Sequence, residues 1–458
     1  MELEVVVTSG LGDNSYLVSS GDEAAVVDPQ RDVERLLSLA ESRHLKVRYV
    51  LETHVHNDYV SGALEVQAAT GAEVAAPARG RYEFGVWGLA EEDEVPVGDA
   101  RLVAIETPGH TPEHLSYLAY EGSAQEPTAV FTGGSLMVGG AGRTDLLGPD
   151  QTDSLTRAQF KTMGRLAGLP DDVLVLPTHG AGSFCGAGPS PRERTSTVAV
   201  ERGRNRALAV TEEAEFVRQQ LSGLLAYPAY YANMAPINRA GPKLLADMAR
   251  PRALSADEAA SKQAAGATVV DARFRVPFAR AHIPGSINVE LQDSFGSYVG
   301  WVVPFNDPLV LVVPEPEVES LGEAATQLLR IGYERVEGYL SGGIEAWKSS
   351  GRPVRSYRVA GLEEWCRAHG SGTARSVLDV RQVSEWDAGH IPGSTHIFVG
   401  DLPGRVEELP KDGEVWVACA SGHRASLASS LLDRAGVQPH LVDGTGVKDF
   451  LQHCLPAP

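Results

Sequence analysis

The sequence predicts a multidomain α/β protein: a layered α/β sandwich over residues 1–205, a connecting segment over 206–244, and two smaller α/β units over 245–355 and 356–458. Three observations predict it. The 458 residues exceed what a single core serves, at roughly 100–200 residues per domain. Short β-branched runs in the first part feed loops that hold histidine and aspartate. The remainder repeats one pattern at fixed spacing: Val270-Asp271-Ala272-Arg273 precedes His282-Ile283-Pro284-Gly285-Ser286, and Leu378-Asp379-Val380-Arg381 precedes His390-Ile391-Pro392-Gly393-Ser394.

In chain order, the strand candidates of the first part are Val5-Val6-Val7, Ala24 to Val27, Tyr49 to Leu51, Leu102 to Ala104 and Val173 to Leu176. Helical patterning falls on Asp32 to Ala40 and Glu65 to Thr70. The connecting segment has a helix candidate at Glu212 to Leu224, followed by Tyr227, Tyr230 and Tyr231. A free linker is poorer in aromatics, so this segment is expected to pack on a domain surface. Each repeated unit continues with a strand (Leu309 to Val313; Val415 to Ala418), a helix and a further strand.

Composition excludes several classes. The formal net charge of −20, with no basic stripe to offset it, repels a nucleic-acid polyanion. No apolar run approaches the ~18 residues of a membrane span, and Met1-Glu2-Leu3-Glu4-Val5 lacks a basic secretory n-region. Cys185, Cys366, Cys419 and Cys454 are scattered without a C-x-x-C pair, which suits a reducing cytoplasm. A cytoplasmic protein with no nucleic-acid or membrane partner is expected. For Cys185, Cys366 and Cys454 a packing role is the expectation.

The repeat resembles rhodanese domains, in which D-x-R and H-I-P-G-(A/S) recur. The first copy ends Ser341-Gly342-Gly343-Ile344-Glu345-Ala346-Trp347, the usual rhodanese ending, whereas the second reads Asp443-Gly444-Thr445-Gly446-Val447-Lys448. In the second copy, strand Val415-Trp416-Val417 runs into Cys419-Ala420-Ser421-Gly422-His423-Arg424 and then a helix. A Gly-containing strand-to-helix loop turns successive N–H groups inward and places the sulfur at a helix N-terminus; both favour a thiolate. Cys419 and Arg424 are the expected catalytic residues, and Ala420, Ser421, Gly422 and His423 line the substrate. Phosphatases with a related cradle use a longer loop, so this one suits a single sulfur atom. The first copy has Pro314-Glu315-Pro316-Glu317 at the matching place, without Cys or Arg; Pro removes donors and Glu repels anions, so a spacer or docking role is expected.

The N-terminal part carries His54-Val55-His56-Asn57-Asp58 directly after a strand, then Thr107-Pro108-Gly109-His110 and Pro177-Thr178-His179-Gly180. An H-x-H-x-D string followed by two loop histidines resembles the metallo-β-lactamase superfamily, which implies an αββα sandwich with ligands converging at one end of the sheets. Tyr59 stands where two-metal members have His, and resembles the persulfide dioxygenase branch fused to rhodaneses, which implies one Fe(II) held by two His and one Asp. His54 and His110 match the two His. The Asp of F-T-G-D is replaced in Phe131-Thr132-Gly133-Gly134. Two alternatives follow: His56 completes a three-histidine site, or the site is empty. Zinc is the less expected metal, and Gly134→Asp is expected to raise iron occupancy. Gly142-Arg143-Thr144-Asp145 matches the family's G-R-x-D, placing Arg143 and Asp145 beside the substrate.

The domain order resembles bacterial persulfide dioxygenase–rhodanese fusions of sulfide detoxification. It implies a sulfurtransferase acting on thiosulfate or low-molecular-weight persulfides through a Cys419 persulfide, with an oxygenase step at the N-terminal site impaired by Gly134. A sulfur-relay or sensor protein with a non-catalytic N-terminal domain, and a thioester hydrolase, are the alternatives. Expected partners are a small thiol persulfide or thiosulfate and a sulfur-acceptor protein. The resemblance implies a homodimer.

Overall fold

The computed structural model describes residues 1–188, 191–374 and 376–455. Among them no helix is long and apolar enough to cross a membrane.

Two compact units divide the chain. The first contains two six-stranded sheets. One begins with antiparallel strands Glu2–Thr8, Asp13–Ser20 and Glu23–Val27 and continues with parallel strands Lys46–Leu51 and Glu73–Pro77. The other is built around strands Ala100–Glu106, Leu115–Glu121, Ala129–Gly133 and Leu174–Pro177. Tyr16, Val18, Val27 and Leu51 of one sheet and Leu102, Tyr117, Phe131 and Leu176 of the other form a single buried cluster. The rings of Tyr16 and Phe131 meet edge-on at 5.2 Å.

The outer faces are covered too. Val26, Val50 and Val74 of the first sheet pack with Leu36 and Val66 of helices Glu34–Ser42 and Ala63–Thr70. Val130 and Val175 of the second pack with Met163 and Phe216 of helices Pro149–Ala167 and Glu213–Ser222. The result is an αββα sandwich with strands buried on both faces, which is why they read as continuous apolar runs and not as alternation. Helix Tyr231–Ala240 lies on the histidine loops: Asn238 donates to the carbonyls of His56 and Tyr59 and accepts from Ser61 N–H, and the Tyr230 hydroxyl donates to Asp58 O at 3.0 Å.

The second unit holds two five-stranded parallel sheets of one topology. Strand Thr268–Asp271 pairs with Leu309–Val312, as Ser376–Asp379 pairs with Glu414–Ala418. The D-x-R spacing has a mechanical cause. Arg273 forks onto Asp271, with its closest contact at 2.6 Å, and donates to Ala281 O; Arg381 does the same to Asp379 and Gly389 O. Each arginine thereby ties a strand end to the turn before H-I-P-G.

The two sheets share helix His423–Arg434, which is buried along nearly its whole length. Asn288 accepts from Ser426 Oγ at 2.6 Å, and His282 meets Asp433 at 3.1 Å. Cys366 and Cys454 form a disulfide between helix Leu362–Gly370 and the end of helix Val447–His453. This corrects the packing role expected for both. Helix packing brings the two Cα atoms to 5.0 Å across 88 residues of sequence, a proximity that their spacing does not reveal.

Candidate functional sites

In the first unit every candidate ligand lies on a loop following a strand. Strand Lys46–Leu51 feeds the loop with His54, His56 and Asp58; Ala100–Glu106 feeds that with His110; Ala129–Gly133 ends at Gly134; Leu174–Pro177 leads to His179. One ring nitrogen from each of His54, His110 and His179 lies within 4.8 Å of the others. Their Nδ1 atoms are all engaged: His54 with Thr53 Oγ1 at 2.8 Å, His110 with Arg143 O at 2.7 Å, and His179 with Asp13 Oδ1 at 2.9 Å. Outer partners of this kind set the tautomer and leave Nε2 for a metal. His54 Nε2 and His179 Nε2 are 3.3 Å apart, and the buried His110 Nε2 has no hydrogen-bond partner. The donor set therefore fits a metal ion, and three imidazoles suit zinc or iron.

Burial and neighbouring His179 push His110 down to about 3. Burial and the surrounding imidazoles likewise hold His54 well below its usual value, so both rings are neutral, as ligands must be. His179 differs: burial opposes its charge, but Asp58 and Asp13 outweigh that and raise it to about 10, so a metal taken up at this ring must displace a proton.

His56 belongs to two further groups of ligand atoms lying within 4.8 Å of one another, one with Asp28 and His54 and one with Asp58 and His179. Its Nε2 points to Glu52 Oε2 at 2.9 Å, Asp28 Oδ1 at 3.2 Å and the Tyr59 hydroxyl at 3.0 Å, and Tyr59 stacks on the ring. Burial works against protonation, yet the two carboxylates hold His56 well above its usual range. Its buried Nδ1 has no hydrogen-bond partner. His179, which the sequence did not single out as a ligand, groups with His54 and His110, and it also groups with His56 and Asp58.

Gly134 also reads differently in three dimensions. A Cβ placed there would lie 2.2 Å from His110 Cδ2, so any side chain at this position requires the imidazole to shift. The Gly134 N–H donates to His114 Nε2 at 3.0 Å. Arg143 is buried; it forks onto Asp145 at 2.7 Å, donates to Phe184 O, and lies over the Tyr227 ring. Its side chain braces the loop whose carbonyl accepts from His110, and Asp145 is its ion-pair partner.

In the second unit Cys419 ends strand Glu414–Ala418 and is buried. Gly422, with φ of 103°, donates its N–H to Cys419 Sγ at 3.2 Å, and helix His423–Arg434 starts immediately after. Arg424 forks onto Glu385 at 2.5 and 2.9 Å. His423 meets the Tyr298 ring edge-on at 5.0 Å, and burial pushes His423 down. Ala420 and Ser421 are exposed at the loop tip. Tyr298 and Arg275, which reach this loop from the first repeat, were not found by sequence reasoning. His179 sat in a recognisable loop, whereas Arg275 and Tyr298 carry no motif.

Comparison with known proteins follows this division. Residues 9–179 match the metallo-beta-lactamase superfamily, and residues 255–350 and 362–452 each match the rhodanese-like domain. A hydroxyacylglutathione hydrolase of Cereibacter sphaeroides is 34% identical over 185 residues, 39% of this chain and 67% of that protein. A crystal structure of a metallo-beta-lactamase from Staphylococcus aureus is 27% identical with a TM-score of 0.66, covering 74% of this chain and 98% of its own. That likeness extends beyond the N-terminal domain. The crystal structure of ETHE1 from Myxococcus xanthus is 27% identical with a TM-score of 0.46, covering 52% of this chain and 99% of its own.

Proposed function

The chain belongs to the metallo-β-lactamase superfamily, fused to two rhodanese-like domains, and from that premise we propose a sulfurtransferase acting through Cys419 and coupled to a metal-dependent N-terminal site that oxidises persulfide sulfur. The observation that carries it is the Gly422 N–H directed at Cys419 Sγ, at the mouth of a helix N-terminus. A thiolate held there attacks the outer sulfur of thiosulfate. The Sγ–S bond forms, the sulfur–sulfur bond of thiosulfate breaks, and sulfite leaves with the electron pair. The same N–H then faces the anionic persulfide, whose terminal sulfur passes to an acceptor thiolate.

In the N-terminal domain His54, His110 and His179 would hold the metal, which supplies Lewis acidity and, as iron, access to dioxygen chemistry. The overall conversion takes a low-molecular-weight persulfide, dioxygen and water to sulfite and free thiol. Thr53, the Arg143 carbonyl and Asp13 keep the three rings aimed. Tethering the two sites raises the effective concentration of sulfite and persulfide at Cys419.

A second reading, thioester hydrolysis, is favoured by the 34% identity to a hydroxyacylglutathione hydrolase. Against it, Tyr59 stands where two-metal members carry a histidine and has its hydroxyl on His56, whereas the missing carboxylate at Gly134 weighs on both readings. Three assays on the full chain separate the readings: sulfur transfer from thiosulfate to cyanide, oxygen uptake with glutathione persulfide, and hydrolysis of S-lactoylglutathione. Transfer that disappears in Cys419→Ser, with an added sulfur on the Cys419 peptide by mass spectrometry, supports the sulfurtransferase. Sulfur found only on Cys185, or hydrolysis alone, overturns it.

A further inference from the structure

The repeat copy that lacks a cysteine supplies part of the other copy's cysteine loop. Arg275 Nη1 donates to Ser421 O at 2.9 Å. Ser421 C=O and Gly422 N–H are the two ends of one peptide plane, and that N–H is the one directed at Cys419 Sγ. Holding the carbonyl outward holds the N–H inward, and a cation on the carbonyl polarises the peptide toward a stronger donor.

The arginine is itself fixed. Its N–H, Nε and Nη2 all donate to Glu290, at 2.8, 2.7 and 2.9 Å, and Glu290 is fully buried. Asp443 Oδ1 lies 3.2 Å from the same Nη1. A Cβ on Gly422 would lie 2.6 Å from Arg275 Nη1 and 2.5 Å from Asp443 Oδ1, so only glycine lets the guanidinium approach. The two repeats also diverge here. Positions two residues after D-x-R and four after H-I-P-G-S are Arg275 and Glu290 in the first copy, but Val383 and Phe398 in the second. Asp443 belongs to the tail in which the second copy departs from the usual rhodanese ending.

We propose that Arg275, set by Glu290 and Asp443, is a positioning residue that orients the Ser421–Gly422 peptide to stabilise the Cys419 thiolate and its persulfide. The cysteine-free copy is thus a working part of the sulfur site. This deepens the sulfurtransferase reading and rests on Cys419 being the sulfur-accepting thiolate. The other charged and titratable groups facing the sulfur are Arg424 with its Glu385 and Tyr298, while His423 lies 3.9 Å from Glu290.

The test is the pH profile of Cys419 alkylation by iodoacetamide in the full chain, read by peptide mass spectrometry so that Cys185 is counted separately. Arg275→Gln should move the midpoint up by about one pH unit. Loss of a positive charge alone would do the same, so Glu290→Gln decides. Removing a nearby negative charge lowers the midpoint by simple electrostatics, whereas releasing the arginine from its seat raises it. A rise in Glu290→Gln supports the positioning role; a fall or no change overturns it. Should Glu290→Gln fail to fold, Asp443→Asn, at a partly exposed position, carries the same opposed signs. Alkylation reads the thiol and not sulfur transfer. A chain that takes no sulfur from thiosulfate yet shows these shifts would defeat the functional reading and leave the positioning role standing.

Discussion

His54 Nε2 and His179 Nε2 stand 3.3 Å apart, each ring held from behind by a different partner, Thr53 for one and Asp13 for the other. Two such nitrogens, joined by that of His110, make a donor face at a point where sequence pattern alone left the third ligand open between His56 and none.

The first prediction separates the two candidates for that third place. His179→Ala should lower retained metal at least tenfold after dialysis against a chelator, since even outer partners of metal ligands are worth about 10–100-fold in affinity. His56→Ala should keep most of its metal and lose stability instead, about 3–5 kcal/mol, because Asp28 and Glu52 are left as buried uncompensated charge. Metal per chain and denaturant unfolding read both effects. The reverse pattern would return His56 to the ligand set.

Gly134→Asp should not restore metal. Its Cβ would overlap His110, whose Nδ1 is anchored on Arg143 O, so the ring must leave its seat. We expect unchanged or lower metal content and a loss of about 1–3 kcal/mol, as for overpacked cores. Raised iron occupancy, which the F-T-G-G string suggests, would show that His110 yields without cost.

Glu385 gives a pH signature. Burial pushes its carboxyl up, but the hydrogen bonds and charge of Arg424 prevail and hold it below its usual 4.5. The depressed folded value means that its contribution is present above pH 4.5 and lost as pH falls through the folded value. Wild type should therefore lose stability across that acid range faster than Glu385→Gln, whose curve should be flatter there. Parallel urea titrations at several pH values check this; identical slopes would contradict it.

Reduction of the Cys366–Cys454 disulfide should destabilise the last domain by about 2–5 kcal/mol, since the bond closes a long loop. Cys366→Ala should show the same loss without reductant and no further loss with it. Thermal unfolding with and without dithiothreitol measures both.

The sequence by itself determined the domain order, the α/β character of each part and the place of Cys419. These are local properties: a strand, a glycine-bearing turn and a helix start within a few residues, and a D-x-R brace recurs because each arginine reaches only the strand end and turn beside it. Histidines on loops after strands were equally legible, His54 and His110 among them. Which rings share a face was not legible. His54 and His56 are two residues apart, yet His54 groups with His110 and His179 while the Nε2 of His56 meets Glu52, four residues before it, and Asp28 at the end of the neighbouring strand. Only tertiary packing puts His179, 125 residues on, against His54. The same holds for the pairing of Cys366 with Cys454 and for the grip of Arg275 on Ser421, 146 residues away. Orientation of a side chain among several buried partners depends on charges and volumes that distant segments bring, and no spacing within one segment encodes those.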